Sequence, residues 1–185
     1  MSTLPTVSHE HHDRLYAIAD QLHALSDCSD SDCMDTSRLI AARPSIREIH
    51  DGLVTYLIPH MEAVEVAVYP TLGRVLAGTG SMAVMQHDHA QIRQLTAVIG
   101  EFVHQPDDDV HRGTVLLLRR ALLRLCATLR THLAEEELYV PIMEDRLTEA
   151  QAGEIARALD HVATRMPGIA DDGLRSIPHI GAGST

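Results

Sequence analysis

The sequence predicts an all-α protein: an antiparallel up-down four-helix bundle with a short additional C-terminal helix and a flexible tail. Three observations carry this expectation. Apolar residues make up 45% of the 185-residue chain, yet the aromatic ones are only four Tyr and one Phe, with no Trp. The core is therefore aliphatic, and that palette suits long helices better than strands. Apolar residues also recur at three- and four-residue spacing through four long stretches. Short polar loops separate these stretches, and no strand-like alternation interrupts them.

The first helix starts near Ser8, a side chain suited to an N-cap, and runs to about Ser26 with Leu15, Ile18, Leu22 and Leu25 as its stripe. CSDSDCMDTS reads as a loop, followed by a short turn from Leu39 to Ala42. The second helix starts near Pro44 or Ser45 and reaches about Ala77, lined by Leu53, Leu57, Val64 and Val68. Pro59 inside it removes one backbone bond, which predicts a kink. AGTGS makes the next turn. The third helix covers residues 81–103 with Met82, Met85, Ile92, Thr96 and Ile99 as its stripe, and HQPDDD is the loop after it. The fourth runs from about Val110 to Arg146 and carries Leu118, Leu122, Leu125, Leu129, Val140 and Met143; Pro141 bends its end. Thr148 caps a short fifth helix ending near Thr164. Residues 1–164 thus form one domain, with a bundle core over 8–146 and the extra helix over 148–164. The Gly- and Pro-rich segment 165–185 is a tail, loose or wrapped on the surface.

The formal net charge of −11 argues against nucleic acid as a partner, because phosphate neutralisation needs basic patches. It argues equally against adsorption to anionic membranes. No apolar run reaches the length of a membrane span, and MSTLPTVSHEHHDRL lacks the basic start and apolar stretch of a signal peptide. A cytoplasmic location follows as the expectation. Of the three cysteines, Cys126 sits in a leucine-rich helix as a small core residue, while Cys28 and Cys33 lack the spacing of a redox or zinc pair. There is no nucleophile arrangement and no glycine-rich phosphate loop.

Histidine is the outlier, with 13 in the chain. His132 and Glu136 lie one turn apart on the same stripe as Leu125, Leu129, Val140 and Met143. An imidazole and an acid on a buried stripe are costly unless they meet something, and a metal ion would compensate both. The other helices repeat the anomaly. His60 falls on the stripe of Leu53, Leu57 and Val64, and His89 is in line with Met82, Met85 and Ile92. His87 points outward. In HEHHDRL, His11 is nearest the centre of the first stripe and His12 is closer to its edge, beside Leu15 and Ala19. One such histidine alone is explained by a hydrogen bond in the core. Inward histidines on all four helices, together with acids, outline a metal site in the bundle core. Glu135 and Glu137 read as an exposed acidic face.

The segments HEHHDRL, PHMEAVEVAVYP, HDHAQIRQL and HLAEEELYVP, in that order over residues 9–145, resemble the hemerythrin-like proteins with an HHE cation-binding domain. The resemblance implies a non-haem iron site inside a four-helix bundle, most often two irons with a bridging oxygen species; the donor chemistry also admits manganese or zinc. It further implies a small partner such as oxygen, nitric oxide or hydrogen peroxide, and so a possible redox activity. The implied ligands are His12 or His11, His60, His89, His132 and Glu136. Two positions depart from the family pattern. The bridging Glu expected four residues after His60 is Val64, so Glu65 is the candidate substitute. The residues four before and after His89 are Met85 and Arg93, which removes one imidazole, and Tyr56, one turn before His60, is a candidate to fill the gap as a phenolate. An iron- or oxygen-responsive binding module without turnover, or a bundle that has lost its metal and serves as a scaffold, are the alternatives.

Overall fold

The computed structural model describes residues 4–26, 36–76 and 80–164, and among them every long element is helical, with no strand. Helix α1 spans Leu4–Ser26. Helix α2 is a continuous helical run over residues 36–75. Helix α3 spans Gly80–His104, α4 Arg112–Arg146 and α5 Glu149–Thr164. The first four pack in a ring, α1 and α3 each against α4 and α2 against both α1 and α3, while α5 lies against α1 and the second half of α2.

Helix α2 begins eight residues before the expected start, at Thr36, and takes Pro44 into its interior. Packing overrides the local penalty here. Leu39 and Ile40 pack against the main apolar cluster, and Ile46 and Ile49 are buried in it. Arg43 and Arg47 reach across to the carbonyls of Gln105 and Val103, and Arg43 also pairs with Asp107 at 3.1 Å. These contacts tie α2 to the loop between α3 and α4. Gly100 allows α3 to come close to α2: a Cβ there would stand 2.6 Å from His50 Nε2. Cys28 and Cys33, and the tail from residue 165, lie outside the described residues.

The interruption expected at Pro59 takes the form of a π-turn over Leu53–Leu57, in which the Ile58 N–H reaches back five residues to the Leu53 carbonyl. A second π-turn, Val64–Val68, ends in the same way with the Tyr69 N–H on the Val64 carbonyl, one residue before Pro70. Proline cannot donate to the carbonyl four residues back and its ring crowds it; a wider turn relieves both. The helix continues, but each wide turn absorbs one extra residue and re-aims the side chains that follow.

The N-termini of α4 and α5 are capped by side chains. His111 accepts from the Thr114 N–H at 3.2 Å while the Thr114 hydroxyl accepts from the His111 N–H at 3.5 Å, starting α4. Thr148 and Gln151 form the reciprocal pair that starts α5, as the sequence expectation for Thr148 required. Every residue assigned to the inner stripes of α3 and α4 is buried. Cys126 is also buried, its thiol 3.4 Å from the Ala19 carbonyl.

The interior divides into two apolar clusters. The larger runs from Leu22, Ile49 and Ile99 up to Leu57, Met61, Ile92 and Leu133. The smaller comprises Val64, Val68, Tyr69, Leu72, Met82, Met85, Val140 and Met143, closed by Ile155 and Leu159 of α5. Along each of α2, α3 and α4 the change from one cluster to the other falls at the anomalous polar residues. A polar layer therefore crosses the bundle between two apolar blocks.

Candidate metal centre

Each of the four bundle helices contributes a histidine to this layer: His12 from α1, His60 from α2, His89 from α3 and His132 from α4, with Glu136 one turn after His132. All five are buried, none more than 8% exposed. Glu136 lies in the middle. Its Oε2 stands 3.3 Å from His12 Nε2 and 3.5 Å from His60 Nε2, and its Oε1 stands 3.4 Å from His132 Nε2. His132 Nε2 is in turn 3.0 Å from His89 Nε2. The donor atoms thus fall into two groups sharing one carboxylate, His12–His60–Glu136 and His89–His132–Glu136, within each of which the atoms lie within 4.8 Å of one another.

These residues fit metal ions. Both Glu136 oxygens are buried and neither makes a hydrogen bond of proper geometry, despite the surrounding nitrogens. Two donors each about 2.1 Å from one ion sit about 3.0–3.4 Å apart at octahedral to tetrahedral angles, close to the separations of 3.0, 3.3, 3.4 and 3.5 Å seen here. Imidazole nitrogen with carboxylate oxygen suits iron, manganese and zinc. Burial pushes the Glu136 carboxyl toward its neutral form, but contacts from His12, His132 and His60 outweigh it and hold the group well below the usual carboxylate range. Glu136 is therefore an anion at neutral pH, as a ligand must be.

The two groups have different surroundings. Behind His89, Nδ1 donates to Glu65 Oε1 at 2.7 Å, and Arg93 donates to the same oxygen at 3.0 Å. Burial raises the Glu65 carboxyl, but these two donors prevail and the net shift is downward. The Tyr69 hydroxyl lies 3.1 Å from His89 Nε2, with the two rings stacked at 5.4 Å. Burial, and after it Glu136 and Glu65, push the Tyr69 hydroxyl far above its ordinary pKa. Burial and the nearby His132 lower His89 to about 4, against the opposing pull of Glu65 and Glu136. Asp88 stands 3.8 Å from His132 Nδ1. On the other side, a cavity of about 30 Å³ adjoins His12, His60 and Glu136. Its remaining walls are largely apolar, including Val64, Val68, Met143 and Leu159.

Among the residues singled out in the sequence, His12, His60, His89, His132 and Glu136 converge. The His11 side chain lies outside the described residues. Glu65 belongs to neither donor group and instead lies on the far nitrogen of His89. Tyr56 is buried in the larger apolar cluster, with the Arg14 guanidinium 5.9 Å from its ring centroid. His87 is exposed, bonded to Gln91 at 2.6 Å. Tyr69 and Arg93 are the neighbours that sequence reasoning did not place. On an unbroken α-helix Tyr69, nine residues after His60, would lie about 180° around from it. Taking out one residue of rotation for the π-turn between them brings it to about 80°. The signal was Pro70, which, like Pro59, follows a wide turn.

The family model for the hemerythrin HHE cation-binding domain matches residues 5–117 of this chain. The matched range holds His12, His60 and His89, while His132 and Glu136 come from beyond it. No curated protein and no solved structure matches significantly.

Proposed function

The chain belongs to the hemerythrin HHE cation-binding domain family, and on that premise we propose that it holds two non-haem irons sharing Glu136 and uses them to bind or process a small oxidant. The observation that carries this reading is the division of Glu136: one oxygen faces His12 and His60, the other His132 with His89 beside it. The four imidazoles and the Glu136 carboxylate would hold the ions, with Glu136 common to both donor groups. Tyr69, 3.1 Å from His89 Nε2, is a further oxygen donor for the His89–His132 ion, with Tyr56 as the alternative. Bound iron would supply redox capacity and open coordination positions.

The chain's own contribution is selection and exclusion. The cavity beside His12 and His60, about 30 Å³ in volume, has room for only one or two water-sized molecules. Oxygen, nitric oxide or hydrogen peroxide fits that space, and its apolar walls favour the first two over water. Leu159 of α5 and Met143 of α4 stand among those walls and restrict access by larger molecules.

A second reading, an iron-responsive module without turnover, is favoured by the sharing of Glu136 between both donor groups, the one carboxylate they hold among the described residues, since two cations balanced by one buried anion would be held less firmly. Protease resistance that does not change with iron would count against it.

Metal analysis after anaerobic loading with ferrous iron tests the main reading. Wild type should hold about two ions per chain, and His60→Ala and His132→Ala should each lose the ion of their own group. Full loading in both variants would overturn the assignment. Tyr69→Phe should remove a broad visible phenolate band from the ferric protein; its loss in Tyr56→Phe instead would transfer the role to Tyr56.

A further inference from the structure

We propose that Glu65, clasped by Arg93, is a positioning residue that fixes the ring tautomer of His89 and so directs its Nε2 into the centre. The proposal rests on the metal reading above for its purpose, but not for its geometry. Glu65 projects from α2 and meets two residues of α3 that are one turn apart, His89 and Arg93. Both donate to the same oxygen, Oε1, at 2.7 and 3.0 Å. His89 is wholly buried, whereas the Glu65 and Arg93 side chains are 28% and 35% exposed. A carboxylate so placed would turn toward water unless something held it, and the guanidinium does so.

With Nδ1–H donated to an anion, the lone pair of His89 must sit on Nε2. That nitrogen lies 3.0 Å from His132 Nε2 and 3.1 Å from the Tyr69 hydroxyl, on the ligand side. The acids behind His132 and His12 do not do the same work directly: Asp88 stands 3.8 Å from His132 Nδ1 and Glu137 3.9 Å from His12 Nδ1, both beyond hydrogen-bond length. Glu65 thus makes a short, charge-assisted bond to the outer nitrogen of a site histidine. Outer carboxylates of this kind orient the ring and raise its basicity as a ligand.

The experiment uses full-length protein and two readouts. In the metal-free protein, nitrogen NMR of His89 should show the proton on Nδ1. Glu65→Ala should give a mixture of tautomers, and Glu65→Gln, which retains a carbonyl acceptor, should restore the wild-type form. Arg93→Ala should fall between wild type and Glu65→Ala. In ferrous iron titrations, Glu65→Ala should bind about 10–100-fold more weakly with unchanged stoichiometry at saturation. An unchanged tautomer in Glu65→Ala would overturn the proposal. Loss of one ion at saturation would also overturn it, by making Glu65 a ligand. If wild type took up no iron, the metal reading would fail, while the tautomer measurement would still decide the role of Glu65.

Discussion

The two oxygens of Glu136 face opposite kinds of neighbourhood. On the Oε2 side, His12 and His60 border a small cavity whose other walls are mostly aliphatic. On the Oε1 side, His89 and His132 are packed edge to face at 4.6 Å and are backed by Tyr69, Glu65, Arg93 and Asp88. The cavity lies beside His12 and His60, and the hydrogen-bonded chain Arg93–Glu65–His89 lies on the other side. On the proposed reading this difference would divide the labour: the hydrogen-bonded half would hold its donors in place, and the half beside the cavity would leave room for a guest. The physical basis is that a hydrogen-bonded network rigidifies what it surrounds, whereas an apolar wall excludes water without engaging a small neutral molecule.

The largest test removes what the halves share. Glu136→Gln keeps the volume but deletes the carboxylate charge that the two donor groups share, so both ions should be lost and metal content should fall from about two per chain to near zero. Retention of one ion would mean that one half stands without the bridge.

The next test is thermodynamic and concerns the supported half. His89 is lowered to about 4, chiefly by burial, from an ordinary value of 6.5. Between these values the unfolded chain binds the proton and the folded one does not, so stability rises with pH across that window. The metal-free protein should lose up to about 3 kcal/mol as pH falls from about 6.5 to about 4. Glu136, whose pKa is depressed, adds a loss in the same direction as pH falls from its unfolded value through its folded one. Urea unfolding across this range checks the slope, and a flat profile would show that His89 is not held neutral by the fold.

A smaller effect is expected on the cavity side. Val64→Phe places a ring in the space beside His12 and His60, at a cost of about 1–3 kcal/mol in overpacking. Nitric oxide or azide affinity should fall at least about tenfold, one decade being about 1.4 kcal/mol, with metal content unchanged. Equal affinity in the variant would place the guest elsewhere.

Much of this was legible in the sequence because it depends on periodicity. The aliphatic stripes fixed the helices, and His60, His89, His132 and Glu136 were visible as polar residues on lines that should be apolar. The family resemblance and the matched domain model agree with that pattern. The extent of α2 was not legible, because Pro44 and the preceding polar segment argue locally against a helix that Ile46, Ile49 and two arginines stabilise through distant contacts.

What the sequence alone determined, then, is the class of fold and the presence of a buried imidazole–carboxylate layer, since both follow from spacing along a regular helix. What only the tertiary structure decided is how that layer is divided. Tyr69 comes beside His89 because a π-turn consumes a residue, Glu65 meets Arg93 because α2 and α3 are neighbours, and the cavity exists because α5 packs across α1 and α2. Each depends on the rotation or approach of one helix relative to another, which no period within a single helix encodes.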